Sequence, residues 1–383
     1  MGFCIGSLRV AVASIVLAGS VLAIAACGGG GDTGGSSESS SGGSGDSAFP
    51  KAAKANEEFE QRPTSIGLKT PVGKPVPQGK TIDFIQCGVP ACKTEGEIFE
   101  AAASSLGWSI KSINAGTTPE EIKAAYEQAI KDEPDAVLGS GYPRALFEPE
   151  LHQLEELKIP VIEFFVNDEA GNGITAVIGG PKSSEIQGQM MADYILAHST
   201  DESMDIGSVI TQGFETNIAA SEALKKLVAA ECPECSVKML EAPVSSTGND
   251  LPQRIASFFS SNPDLEWASI AYSDMVSGLP TALKGSGVEG VKLTTVHVTP
   301  AVAPYMTNDE YLQSSVGASY DEVYWRGIDL LARLFAGVSY KEDLDDSTFP
   351  YWTVTKDTIP SSSEEFANVP NFEEQYKKLW GVG

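Results

Sequence analysis

The stretch "INAGTTPEEIKAAYEQAIKDEPDAVLGSG", Ile113 to Gly141, decides the fold. Its middle is the clearest helix signal in the chain. Thr118 can cap that helix, Pro119 fits its first position, and Glu121 stands where a capping box needs a carboxylate. On either side lie strand-like runs, "SIKSINA" before and "DAVLGS" after. A strand, a helix of about four turns and a second strand form one right-handed parallel crossover.

The same rhythm extends in both directions. Upstream, "KTIDFIQ" reads as a strand and "EGEIFEAAASSLGW" as a helix with Ile98, Ala102 and Leu106 on one face. Downstream come helix "FEPELHQLEELK" and strand "IPVIEFFV". Further strands are expected at "IGSVIT", "SVKML", "WASIAY", "VKLTTVHV" and "SSVGAS". Helices are expected over 182–198, 216–231, 250–261, 275–286 and 321–336. Ten or eleven strands is generous for one sheet, so the expected fold is α/β with two doubly wound parallel-sheet lobes. Ligands bind outside the carboxyl ends of strands in such sheets, and two facing lobes would make a cleft there.

The N-terminus reads as an address and an anchor. One positive charge, Arg9, precedes the apolar run of residues 10–26, which is followed at once by Cys27 and a Gly/Ser tract. A basic start, a short apolar middle and small residues at the end describe a secretory signal. "IAAC", Ile24 to Cys27, resembles the lipobox of bacterial lipoproteins. That resemblance implies cleavage before Cys27 and acyl chains on it, enough together to hold the protein on the outer face of the cell membrane. Residues 1–26 are then the signal peptide and 27–78 a flexible tether. The tether reaches roughly 40 Å as a random coil and ends in the proline-rich "TPVGKPVPQG".

Composition narrows the function. With 26 basic and 52 acidic residues the formal charge is -26, and no Lys/Arg cluster offers phosphates a partner, so nucleic acid is not expected to bind. The Gly28–Gly31 run lacks the Lys-Ser/Thr of a phosphate loop, and no nucleophile motif such as G-x-S-x-G occurs. No cofactor, metal or catalytic residue is expected. Four cysteines form close pairs, Cys87 with Cys92 and Cys232 with Cys235, and an exported protein tends to oxidise such pairs. Cys232-Pro-Glu-Cys235 also has the spacing of a redox dithiol, but it follows a helix instead of opening one.

The ordered series "TIDFIQ", "INAGTTPEEIKAAYEQAIKDEPDAVLGSG", "LKIPVIEFF", "SEALKKL", "FFSSNPDLEWASIAYSDMVSGLPTALKGSG" and "GASYDEVYWRGIDLLARLFAG" resembles the type I periplasmic binding proteins of sugar ABC transporters, the ribose-binding kind. The resemblance spans about residues 80–356. It implies two lobes joined by a three-strand hinge, with lobe one at 79–179 plus 320–345 and lobe two at 180–319 plus the tail 346–383. It also implies a monomer that captures a small solute and delivers it to an ABC permease in the membrane. Ligand contacts carry over to Val89, Pro90 and Ala91 after the first strand, Ser140 and Tyr142 after the third, and Phe165 and Asn167 after the fourth. In the second lobe they fall on Phe214, Thr216, Tyr272, Asp274 and His297, with Tyr320 near the lobe crossing.

The chain departs from the sugar binders at four of these places. Phe165-Val166 stands where they usually have an Asp-Arg pair, Thr216 where they often have Arg, Tyr272 where they have Asn, and His297 where they have Asp. Sugars need charge-assisted bonds from Asp, Asn and Arg, whereas Phe, Tyr and Thr suit a flatter ligand. The expected ligand is therefore a neutral sugar or polyol, or another neutral small molecule of aromatic or nucleoside-like shape. A sensor of the same fold that signals to a membrane receptor, and a surface thiol oxidoreductase, are the competing functions.

Overall fold

The computed structural model describes residues 47–88, 91–317 and 319–383. The first sheet holds β1 (Thr81–Gln86), β2 (Ser109–Asn114), β3 (Ala136–Ser140), β4 (Val161–Phe164) and β5 (Ala176–Ile178), in the order β2-β1-β3-β4-β5. All its pairings are parallel. The second holds β6 (Asp205–Thr211), β7 (Ser236–Ala242), β8 (Leu265–Ile270), β9 (Lys292–Val296), β10 (Leu312–Gly317) and β11 (Trp352–Thr355), in the order β11-β10-β9-β8-β6-β7. Only β11 runs antiparallel, on β10. Strand order reverses beside β1 in one sheet and beside β6 in the other, so each sheet has a crevice at its strand ends. The two-lobed, doubly wound α/β architecture expected from the sequence is therefore present.

The helices follow the chain as α1 (Pro50–Glu57), α2 (Ala91–Ser104), α3 (Pro119–Asp132), α4 (Glu148–Glu156), α5 (Pro181–Ala197), α6 (Glu215–Glu231), α7 (Leu251–Ser261), α8 (Leu279–Gly285), α9 (Ala303–Thr307), α10 (Tyr320–Ala336) and α11 (Phe372–Trp380). The capping box on α3 forms as read: Thr118 Oγ1 accepts from the Glu121 amide and the Glu121 carboxylate accepts from the Thr118 amide. Strand alternation divides the first sheet between two apolar faces. Phe84, Leu138 and Phe164 face α2 and α10, where Phe99 lies 4.6 Å from Tyr324 and 5.3 Å from Phe164. Ile85, Val137 and Val161 face α3 and α4.

The chain passes between the lobes through β5–α5, β10–α10 and the stretch from α10 to β11. These crossings are pinned to one another. The Gly179 and Gly180 amides both donate to the Asp346 carboxylate, at 3.2 and 2.9 Å. Arg326 of α10 donates to the Ile66 carbonyl and to Thr348, and its guanidinium lies 3.9 Å from the Phe349 ring centroid.

The structure corrects the tether. Residues 47–78 were expected to be flexible, but α1 seats Phe49 and Ala52 in the core against α5, and Ile66, Leu68 and Val72 are buried too. The Thr353 amide donates to the Phe59 carbonyl at 2.8 Å, which extends the edge beyond β11. Ile66, Leu68 and Val72 are scattered among polar residues without a regular period, and the helical spacing of Phe49, Ala52, Ala53 and Asn56 spans only two turns of mostly small or polar residues, too short and weak a pattern to stand out. The earlier part of the tether and the lipidation candidate Cys27 lie outside the described residues.

The tail is corrected as well. β11 joins the second sheet, but α11 packs on α10, which was assigned to the first lobe, with Trp380 stacked on Trp325 at 5.4 Å. Two smaller differences have local causes. The expected helix 275–286 is split by Gly278 at φ 75° into a short turn and α8. The strand expected over 159–166 stops at Phe164, because Phe165 takes φ 55°.

Candidate functional site: the interlobe cleft

The loops that leave the strand ends carry the candidate residues. Ser140 ends β3 and is buried. Tyr142, two residues on, donates its hydroxyl proton to the Gly116 carbonyl and accepts from the Gly88 amide. One hydroxyl thus ties together the loops after β1, β2 and β3. These loops need glycine: a Cβ on Gly88 would fall 2.3 Å from the Gly116 oxygen. The disulfide Cys87–Cys92 closes the loop after β1. Val89 and Pro90, expected there as ligand contacts, lie outside the described residues.

After β4 the left-handed turn at Phe165 aims its ring at the cleft side of α10. It meets Tyr320 edge-on at 5.5 Å and Tyr324 at 5.8 Å. Its neighbour Phe164 points into the sheet core and is fully buried, so only the second phenylalanine of the pair reaches the cleft. Asn167 donates to the Glu215 carbonyl at 3.0 Å, a bond from the first lobe to the start of α6 in the second. Thr216 follows Glu215 and is half-buried. Phe214 faces the same rim, since a Cβ on Gly141 would lie 3.4 Å from its ring.

On the second lobe, Phe214 packs edge-on to Tyr272 at 6.3 Å, and the Tyr272 hydroxyl shares a hydrogen bond with Thr247. Burial raises the Tyr272 phenol above its ordinary pKa. His297 follows β9 in a left-handed conformation with φ 62° and is buried. Its ring lies 4.5 Å from Tyr320, and its Nε2 is 2.9 Å from a Glu365 carboxylate oxygen. Asp274 is half-buried, and burial raises its carboxyl, with the nearby His297 acting against the rise. Phe165, Tyr320, His297 and Asp274 thus form one continuous patch. Phe214, Tyr272 and Thr216 lie towards the rim, and Ser140 lies deeper.

Sequence reasoning missed two carboxyl groups. Glu95, in the second turn of α2, is buried beside Ser140 and the Tyr324 hydroxyl, and burial pushes it up to about 7. It reads as an ordinary polar position on an amphipathic helix. Glu365 belongs to the irregular segment after β11, where no periodic signal exists. The second disulfide, Cys232–Cys235, lies at the far end of α6 between that helix and β7. Among the described residues no group of three or more His, Cys, Asp or Glu could hold a metal ion.

A family model described as "Periplasmic binding protein domain" matches residues 90–338. That is well over half of the chain, and the chain belongs to this family of extracytoplasmic solute-binding proteins. A binding protein and not an enzyme was expected, and membership of the family bears this out. Solved structures agree on the fold. A subunit of an ABC sugar transporter from Rhodobacter sphaeroides is 15% identical, covers 73% of this chain and 99% of its own, and superposes with a TM-score of 0.61. The 5-methylthioribose transporter solute-binding protein of Thermotoga lettingae is 14% identical, covers 81% and 99%, and gives 0.64. A solute-binding protein of Bacillus halodurans with bound myo-inositol is 17% identical, covers 79% and 98%, and gives 0.59. Among curated proteins none matches the chain.

Proposed function

We propose that this chain is a lipid-anchored receptor that captures one small organic solute between its lobes and delivers it to an ABC permease. In this reading residues 1–26 are removed on export and Cys27 carries the acyl chains. The mature protein works as a monomer outside the cytoplasm. The observation that carries the reading is convergence: the ends of β4, β8 and β9 bring Phe165, Asp274 and His297 to one place around Tyr320, with Ser140 at the end of β3 deeper, beside Tyr324. Side chains from both lobes share that patch, so a solute held there would favour the arrangement in which the rims meet at Asn167 and Phe214.

A thermal-shift screen with sugars, polyols, nucleosides and aromatic acids tests this. A solute at one hundred times its Kd should stabilise the protein by about 2.7 kcal/mol. If no class shifts the melting temperature, the receptor reading fails. The anchor has its own test. Cys27→Ser should release the protein from the membrane fraction, and retention of the variant there would contradict lipidation at Cys27.

A further inference from the structure

Residues 47–78, which docked where a tether was expected, begin on the second lobe and end on the first. On the second lobe α1 packs on α5, and the Ala48 amide donates to the Ser199 carbonyl at 3.2 Å. The Phe59 and Glu60 carbonyls then accept from the Thr353 amide and the Trp352 indole of β11, at 2.8 and 3.2 Å. From Thr64 onward the partners belong to the first lobe. Gln375 of α11 donates to the Thr64 carbonyl and accepts from the Ile66 amide. Arg333 of α10 donates to the Thr70 carbonyl at 2.6 Å, and the Val72 amide donates to the Leu379 carbonyl at 2.9 Å. The Trp108 indole, just before β2, donates to the Pro77 carbonyl at 2.7 Å.

The crossing is short and lies on the other crossings. Arg62 sits over the Trp352 ring at 5.5 Å and donates to the Ala367 and Asn368 carbonyls. Pro63 alone separates it from Thr64, and proline fixes φ, so the segment has no slack there. Asn368 reaches on to the Gly317 and Pro350 carbonyls, at the ends of two of the passages between the lobes. Gly67, at φ 82°, lies flat on the stretch from α10 to β11: a Cβ there would fall 1.8 Å from the Thr348 oxygen. That stretch carries Asp346, which holds Gly179 and Gly180 of the remaining passage.

Three passages let two lobes turn about a common hinge through small changes in a few dihedrals. A fourth, laid across them and bonded at both ends, resists that turn until its own bonds part. These bonds are all made in an arrangement whose rims touch, with Asn167 donating to the Glu215 carbonyl.

We propose that residues 47–78 are a strap across the hinge that holds the lobes in the arrangement where their rims meet, and so sets how much of the protein stands closed before any solute arrives. A solute's apparent affinity scales with that closed fraction.

The test adds slack without removing a contact, by inserting six Gly/Ser residues between Pro63 and Thr64. Nitroxide labels are placed at Glu120→Cys and Gln253→Cys in residues 27–383 carrying Cys27→Ser. Both positions are exposed, in the first turns of α3 and α7, which follow the edge strands β2 and β7. Pulsed dipolar spectroscopy then reads the distance between lobes with no solute present. The insertion should raise the population at longer distance by about threefold or more, with far-UV circular dichroism unchanged. Arg62→Ala should shift the population the same way and decides the matter if the insertion does not fold. An unchanged distribution, or a shift to shorter distance, overturns the strap. Because no solute enters the measurement, the receptor reading stands or falls separately, on the thermal-shift screen.

Discussion

Tyr142, Phe165 and His297 show how single residues depart from what the sequence allows one to read. Tyr142, expected to touch the ligand, spends its hydroxyl on two backbone groups and so positions three loops, which leaves its ring as the part that could meet a solute. Phe165 and His297 both sit at positive φ, a conformation costly for such residues, and both do so at strand ends facing the cleft. Nothing in "EFFV" or "VHVT" announces that turn. Buried acids are the other residue-scale feature. Glu163 in β4 has no exposed surface, accepts from the Tyr126 hydroxyl at 2.7 Å, and is pushed up to about 8 by burial. A carboxyl raised above its unfolded value stabilises fully below about pH 4.5, and that contribution is lost as pH rises through about 8. Glu163→Gln should therefore be more stable than the parent at pH 8.5, by at least about 1 kcal/mol, and near-neutral at pH 5. Urea unfolding at the two pH values checks this. A variant less stable at pH 8.5 would contradict the buried-acid account.

Elements with a clean period were legible, and those held by scattered contacts were not. The strand–helix alternation from Lys80 to Gly337 gave most strands, and the boundaries of α5, α6, α7 and α10 fall within a residue of expectation. β5 is three residues long and β11 four, too short for alternation to register. α1 and α11 lie where composition suggested a tether and a tail. Each docks through a few large side chains. Trp380 is 4% exposed, stacks on Trp325, and donates its indole N–H to Asp329 at 2.6 Å. Asp329 in turn pairs with Arg333, which also faces Asp343. Trp380→Ala should cost about 3–5 kcal/mol, the usual loss for a buried tryptophan, read from chemical denaturation. A cost below about 1 kcal/mol would mean that α11 is an appendage and no part of the folded unit.

For the whole molecule, the ordered series of motifs gave the family and the two lobes. The chemistry of the cleft was legible only in part. Ser140, Phe165, Asp274, His297 and Tyr320 do come together, because strand ends in doubly wound sheets must converge. Glu95 and Glu365 stayed hidden, because their role depends on what α10 and the segment after β11 place beside them. The lobes touch where Asn167 donates to the Glu215 carbonyl. If the bound state keeps that contact, Asn167→Ala loses about 1 kcal/mol, and calorimetry should show solute affinity falling about fivefold. Unchanged affinity would mean the rims do not meet around the solute.

The most direct test of the central claim is amide hydrogen exchange, with and without a saturating solute found by thermal shift. Binding between the lobes predicts slower exchange on both sides of the cleft at once, in the loops holding Gly141 to Asp168 and in those holding Phe214, Tyr272 and His297. Protection confined to one lobe, or to surfaces away from these strand ends, would contradict it.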